Sequence, residues 1–77
     1  MSRCEDLLAK ARNNPKGLRF LELLALAKCN GWFLDRQGGS HHVLKKKGIK
    51  EILDFQEGGN GKAKAYQVRQ LLNTIED

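Results

Sequence analysis

Apolar residues recur along this chain first with a helical period and then with a strand-like one. Leu7, Leu8 and Ala11 share one helical stripe, with Lys10 and Arg12 outside it. Ser2-Arg3-Cys4-Glu5 ahead of the stripe reads as a capping box, so a first helix is predicted over 2–13. Asn13-Asn14-Pro15-Lys16-Gly17 should end it, because Pro15 pushes Asn14 out of helical geometry. A second helix is predicted from about Phe20 to Cys29. Phe20, Leu21, Leu23, Leu24, Leu26 and Ala27 are apolar on nearly every side of it, which implies a buried helix. Asn30-Gly31 reads as its C-cap.

The period changes after Gly31. Trp32-Phe33-Leu34 is strand-like and Asp35-Arg36-Gln37 continues it in polar form. Gly38-Gly39-Ser40 reads as a turn into a second strand, His41 to Lys46, completing a hairpin. Lys47-Gly48 is a second turn, and Ile49 to Gln56 reads as a third strand. Glu57-Gly58-Gly59-Asn60-Gly61 reads as a flexible loop. A last helix is predicted from about Ala65 to Ile75, with Val68, Leu71, Leu72 and Ile75 at helical spacing. The order is α-α-β-β-β-α without internal repeat or linker. The natural architecture is α+β, a three-stranded antiparallel sheet with helices on one face.

At 77 residues the chain makes one small domain, 1–77, and excludes barrels and doubly wound nucleotide-binding sheets. With 40% hydrophobic and 30% charged residues it has a core, though a domain of this size buries only about 60% of its unfolded surface. The net charge of +5 is spread evenly: residues 1–40 hold 7 basic and 4 acidic side chains, residues 41–77 hold 7 and 5. A phosphate-rich partner fits this balance, and so does an ordinary solvated surface. The densest cluster is Lys45, Lys46, Lys47 and Lys50.

Cys4 and Cys29 form no C-x-x-C pair, so two reduced thiols are expected. A metal site of Cys29 with His41 or His42 lacks an evident fourth ligand, and no metal or cofactor is expected. No signal-peptide core, membrane-length apolar run or N-terminal Gly for myristoylation is present, so a soluble, cytoplasmic protein with no membrane partner is expected.

Gly61-Lys62 after a glycine-rich stretch invites a phosphate-loop reading. It fails, because Gln56 stands where that motif needs Gly and Ala63 where it needs Ser or Thr. Lys62 and Lys64 near the last helix's N-terminus remain candidate phosphate contacts. His41-His42, the only two histidines, are adjacent in a strand, so their rings should point to opposite faces. One should meet the helices or the sheet edge and the other solvent. A lone histidine titrating near its ordinary value of about 6.5 suits a general acid/base. From spacing alone, a pair of exposed strand-start histidines without a role is the favoured reading. Neither a Ser-His-Asp nor a Cys-His constellation is visible.

Gly31-Trp32-Phe33-Leu34-Asp35-Arg36-Gln37-Gly38-Gly39-Ser40-His41-His42-Val43 resembles the signature of HicA-type toxins, in which a Gly-aromatic strand runs into Gly-Ser-His. Asn60-Gly61-Lys62-Ala63-Lys64-Ala65-Tyr66-Gln67-Val68-Arg69-Gln70 and Leu18-Arg19-Phe20-Leu21-Glu22-Leu23 are similar to further stretches of the same family. The resemblance covers residues 18–76 as a family core, leaving 2–13 as an extra N-terminal helix. It implies a double-stranded-RNA-binding-domain-like fold. It implies an endoribonuclease that cleaves mRNA without a metal, uses one essential histidine and is silenced by a HicB-type antitoxin covering the site. The family histidine follows Gly-Ser and maps onto His41. Some members carry one more residue before it, which makes His42 the second choice. Many members have Lys at Gly38 or Gly39 and a His-Pro after the second strand. Lys45-Lys46-Lys47-Gly48 stands in that stretch, which implies a different substrate grip with few acids or bases nearby.

Under this reading the histidine moves the proton of the RNA 2′-hydroxyl or of the leaving 5′-oxygen. Lys45, Lys46 and Lys47 would stabilise the phosphorane, and Lys62, Lys64 and Arg69 would hold the backbone. The competing readings are a non-catalytic RNA-binding module of the same fold and a small domain docking on an acidic partner protein.

Overall fold

The computed structural model describes residues 3–75. Helix α1 spans Arg3–Asn13 and buries Leu7 and Ala11, two residues of the expected stripe. Ser2 of the expected capping box lies outside the described residues. A single 3-10 turn, Pro15–Gly17, follows. Helix α2 spans Phe20–Cys29, strand β1 Trp32–Gly38, strand β2 His41–Lys46, strand β3 Ile52–Gln56 and helix α3 Ala65–Ile75. The strands form one open antiparallel sheet in the order β1-β2-β3. The α-α-β-β-β-α order is therefore as expected, and the double-stranded-RNA-binding-domain-like description is consistent with it.

Alternation within the strands explains how the sheet is used. Trp32, Leu44, Leu53 and Phe55 are buried and join Leu23, Leu26, Val68 and Leu71 of the helices in one core. The residues between them point away: Phe33, Ile52 and Asp54 are exposed. Residues of all three helices join the core on the inner face, and among the described residues the outer face is left exposed.

Four expectations are corrected. Helix α2 is not buried on every side: Leu21 is 76% exposed, because its position faces away from α1 and the sheet. Strand β3 begins at Ile52 rather than Ile49. The Ile49 amide donates to the Lys46 carbonyl at 3.1 Å, closing a turn in which Gly48 takes a φ of 81° that side chains disfavour. The glycine-rich loop is a defined turn, Gly59–Gly61, with Asn60 in left-handed geometry at φ 59°. It is tied down by Gly58 N–H donating to the Lys62 carbonyl at 2.8 Å and Ala63 N–H donating to the Leu18 carbonyl at 2.9 Å.

The fourth correction concerns the thiols. Cys4 and Cys29 are joined in a disulfide, with Cα atoms 5.8 Å apart. Helices α1 and α2 run antiparallel, so the first turn of one meets the last turn of the other, a proximity that local periodicity does not encode. With its sulfur in that bond, Cys29 offers no thiolate to a metal shared with the histidines. Among the described residues, no group of three or more His, Cys, Asp and Glu is placed to hold a metal ion. No described helix is long and apolar enough to cross a membrane.

The other end of the α1–α2 pair is polar. Lys10 Nζ donates to both carboxylate oxygens of Glu22, at 2.9 and 3.0 Å, and Glu22 Oε1 accepts from the Arg19 amide at 2.9 Å, capping α2. The Arg19 backbone bond first, and then the Lys10 ammonium, hold the Glu22 carboxyl below its ordinary value. A depressed folded value stabilises above the unfolded value, and that stability is lost as pH falls through the folded one. Glu22→Gln should cost less than about 1 kcal/mol at neutral pH. It should also flatten the acid limb of stability against pH, read as urea midpoints; an unchanged limb would refute the linkage.

Candidate histidine site

Strand alternation separates the adjacent imidazoles, as the spacing requires. His42 turns inward and is half-buried. Its ring packs edge-on against Phe20 of α2, with centroids 4.9 Å apart and planes at 66°. Its Nδ1 lies 3.2 Å from the Ser40 carbonyl, to which it donates. This is a structural setting, closed on one side by an aromatic ring.

His41 turns to the uncovered outer face. Register places it opposite Gln56, while Asp54 stands one alternate position along β3, opposite Val43. Its Nδ1 is 3.0 and 3.1 Å from the two Asp54 carboxylate oxygens. Its Nε2 is 3.0 Å from Gln56 Nε2. Lys64 Nζ, just ahead of α3, donates to Gln56 Oε1 at 3.2 Å. These contacts allow one consistent set of donors. An ammonium has no lone pair, so the Gln56 oxygen must face Lys64 and its NH₂ must face the ring. Imidazole Nε2 then accepts, and Nδ1–H donates to Asp54. Neutral His41 thus carries its proton on Nδ1 and its lone pair on Nε2. The side chains of His41 and Asp54 are 54% and 50% exposed, so a large substrate can reach them.

One buried polar residue supports this arrangement from beneath. Gln67 of α3 is only 2% exposed. Its Oε1 accepts from the Gln56 amide at 3.1 Å, and its Nε2 donates to the Asp54 carbonyl at 3.2 Å and to the Tyr66 hydroxyl at 3.3 Å. The side-chain amide bonds to β3 as a neighbouring strand's peptide would, at the two residues that hold His41. Gln67→Leu strands a buried N–H and a C=O. We expect a loss of about 1–3 kcal/mol in denaturant unfolding. A neutral result would show that water replaces the amide.

The basic candidates are dispersed. Lys45 shares the outer face with His41, four residues along β2 and so about 13 Å away. It lies 3.5 Å from an Asp35 carboxylate oxygen. Lys46 is half-buried at the inner side, beside Trp32, Ile49, Glu51 and Thr74. Lys47 sits exposed in the following turn. The three successive lysines therefore do not form one grip. Lys62 is exposed and bridges in antiparallel fashion to Arg19, and Arg69 is exposed on α3. Lys64 alone is joined to His41, through Gln56.

The expectation of few acids or bases near the histidine is corrected by Asp54. Asp54, Gln56 and Gln67 are the residues that sequence reasoning passed over. Alternation in Ile52-Leu53-Asp54-Phe55-Gln56 was the available signal for the first two. It gives the face but not the partner across the ladder.

One protein-family model, described as the HicA toxin of bacterial toxin–antitoxin systems, matches residues 21–76 of the chain. That span omits α1 and Phe20 and includes His41, His42, Asp54, Gln56, Lys64 and Gln67. No curated protein matches the chain, and no solved structure does.

Proposed function

Because the chain belongs to the HicA toxin family, whose toxins imply an antitoxin partner, we propose that it is an endoribonuclease that cleaves mRNA with His41 as general acid/base. The observation that carries this reading is the alignment Asp54–His41–Gln56 on the uncovered face of the sheet, with the ring's proton on Nδ1 and the lone pair on Nε2.

In the proposed reaction, Nε2 takes the proton of an RNA 2′-hydroxyl while Nδ1–H stays bonded to the Asp54 carboxylate. The 2′-oxygen attacks the adjacent phosphorus and the bond from phosphorus to the 5′-oxygen breaks. The imidazolium returns its proton to that leaving oxygen, giving a 2′,3′-cyclic phosphate and a free 5′-hydroxyl. The nucleophile belongs to the substrate, so the scheme needs no metal or cofactor. DNA lacks that hydroxyl and would not be cut. Asp54 orients the ring and faces the imidazolium as it forms. Lys64 is the cation best placed to meet the phosphate, with Lys45 further along the same face. Lys46, Lys47, Lys62 and Arg69 would hold more distant backbone.

A HicB-type antitoxin would silence the toxin by covering the His41 face. The proposed place of action is the cytoplasm. There the thiol pool would keep Cys4 and Cys29 reduced, and α1 would rest on its other contacts, among them Leu7, Leu8, Ala11 and the Lys10–Glu22 pair.

The test is structured mRNA incubated in EDTA with wild type and with His41→Ala. Cleavage by wild type alone, ending in cyclic phosphate, is the expected result. Equal cleavage by both would remove His41 from the chemistry. No cleavage by folded wild type would favour the non-catalytic RNA-binding module.

A further inference from the structure

The atom that the reaction needs free is occupied. His41 Nε2 accepts a hydrogen bond from the Gln56 amide at 3.0 Å, and a 2′-hydroxyl cannot use that lone pair while the amide holds it. Gln56 is in turn pinned at its other end by Lys64 Nζ at 3.2 Å. Its backbone is fixed by Gln67, so only its side chain can move away.

We propose that Gln56 is a gate on the reactive nitrogen of His41, that Lys64 is its latch, and that a substrate phosphate opens it by drawing Lys64 away. The inference rests on the ribonuclease reading and adds a coupling between phosphate capture and exposure of the base. An anionic phosphate oxygen competes well for an ammonium held only by a neutral amide oxygen, because it adds attraction between two full opposite charges, which an amide dipole does not supply. Once Lys64 leaves, nothing holds the Gln56 oxygen outward. The amide can swing off Nε2, or turn its oxygen to accept from Nε2–H after the ring has taken the proton. One side chain then serves both states of the base, and free solvent phosphodiester contacts that miss Lys64 leave the base covered.

The test reads the nitrogen directly. Diethyl pyrocarbonate acylates the lone-pair nitrogen of a neutral imidazole. Its rate at His41 is followed by fragment mass spectrometry, with His42 as internal reference. Gln56→Ala and Lys64→Ala should each raise the His41 rate about two- to tenfold, the range that releasing one neutral hydrogen bond allows. The His42 rate should stay fixed. In wild type, inorganic phosphate is titrated until the Lys64 resonances stop shifting, against chloride at equal ionic strength. It should bring the His41 rate to the Gln56→Ala value, and Lys64→Ala should not respond.

An unchanged His41 rate in either variant overturns the gate. So do Lys64 resonances that phosphate does not move, Lys64 shifts without faster labelling, and a parallel rise at His42, which would mean general loosening. The readout does not depend on RNA cleavage. A chain that labels as described but cuts no RNA loses the ribonuclease reading and keeps the gate. A chain that cuts RNA but labels uniformly does the reverse.

Discussion

His41→Ala should lower RNA cleavage by about 10²–10⁴-fold, the usual contribution of a positioned general acid/base, and leave the fold intact. The two halves of this expectation come from one geometric fact. The ring lies on the outer face and is more than half exposed. Its removal therefore returns Asp54 and Gln56 to water without opening a cavity. Unfolding should shift by no more than about 0.5 kcal/mol. His42→Ala should show the opposite pattern. It removes the ring packed on Phe20, at a cost of about 1 kcal/mol, and leaves cleavage within a few-fold of wild type. Initial rates and urea midpoints on the two variants decide the assignment. Lost cleavage in a stable His42 variant, with His41→Ala active, would move the chemistry to the inner face.

The second large effect is on stability. Opening the Cys4–Cys29 bond, by reduction or by the double substitution Cys4→Ser/Cys29→Ser, should cost about 2–4 kcal/mol. The bond joins residues 25 positions apart, and most of its benefit comes from restricting the unfolded chain. In a domain this small, that loss lowers Tm by on the order of 15 °C. The cost should fall on α1, whose remaining contacts include Leu7, Leu8, Ala11 and the Lys10–Glu22 pair. The histidine site draws on β2, β3 and α3, so cleavage by the reduced chain below its Tm should match that of the oxidised chain. Thermal unfolding with and without reductant, with free thiols counted by mass, checks both statements. Equal Tm values with thiols confirmed free would show that the link adds nothing. Cleavage lost on reduction well below Tm would tie α1 to the site.

These two expectations draw on different levels of information. The element order, the helical stripes of α1 and α3, and the opposed faces of His41 and His42 were determined by the sequence alone. Each rests on a period of two or 3.6 residues and so on neighbours within a few positions. The family resemblance was equally legible, because its blocks are contiguous strings. What only the tertiary structure decided involves separation along the chain. His41 meets Asp54, 13 residues away, because the turn after Lys46 sets the β2–β3 register; a slip of one residue would put Asp54 on the wrong face. Gln67 reads as one more polar residue of a helix, and its role exists only because the fold brings this residue of α3 against the backbone of β3. Cys4 and Cys29 read as two unrelated thiols until antiparallel packing brings the ends of α1 and α2 together. Local pattern thus settles which face a residue takes, and pairing across the fold settles whom it meets there, since that depends on loop lengths and packing that no short window contains.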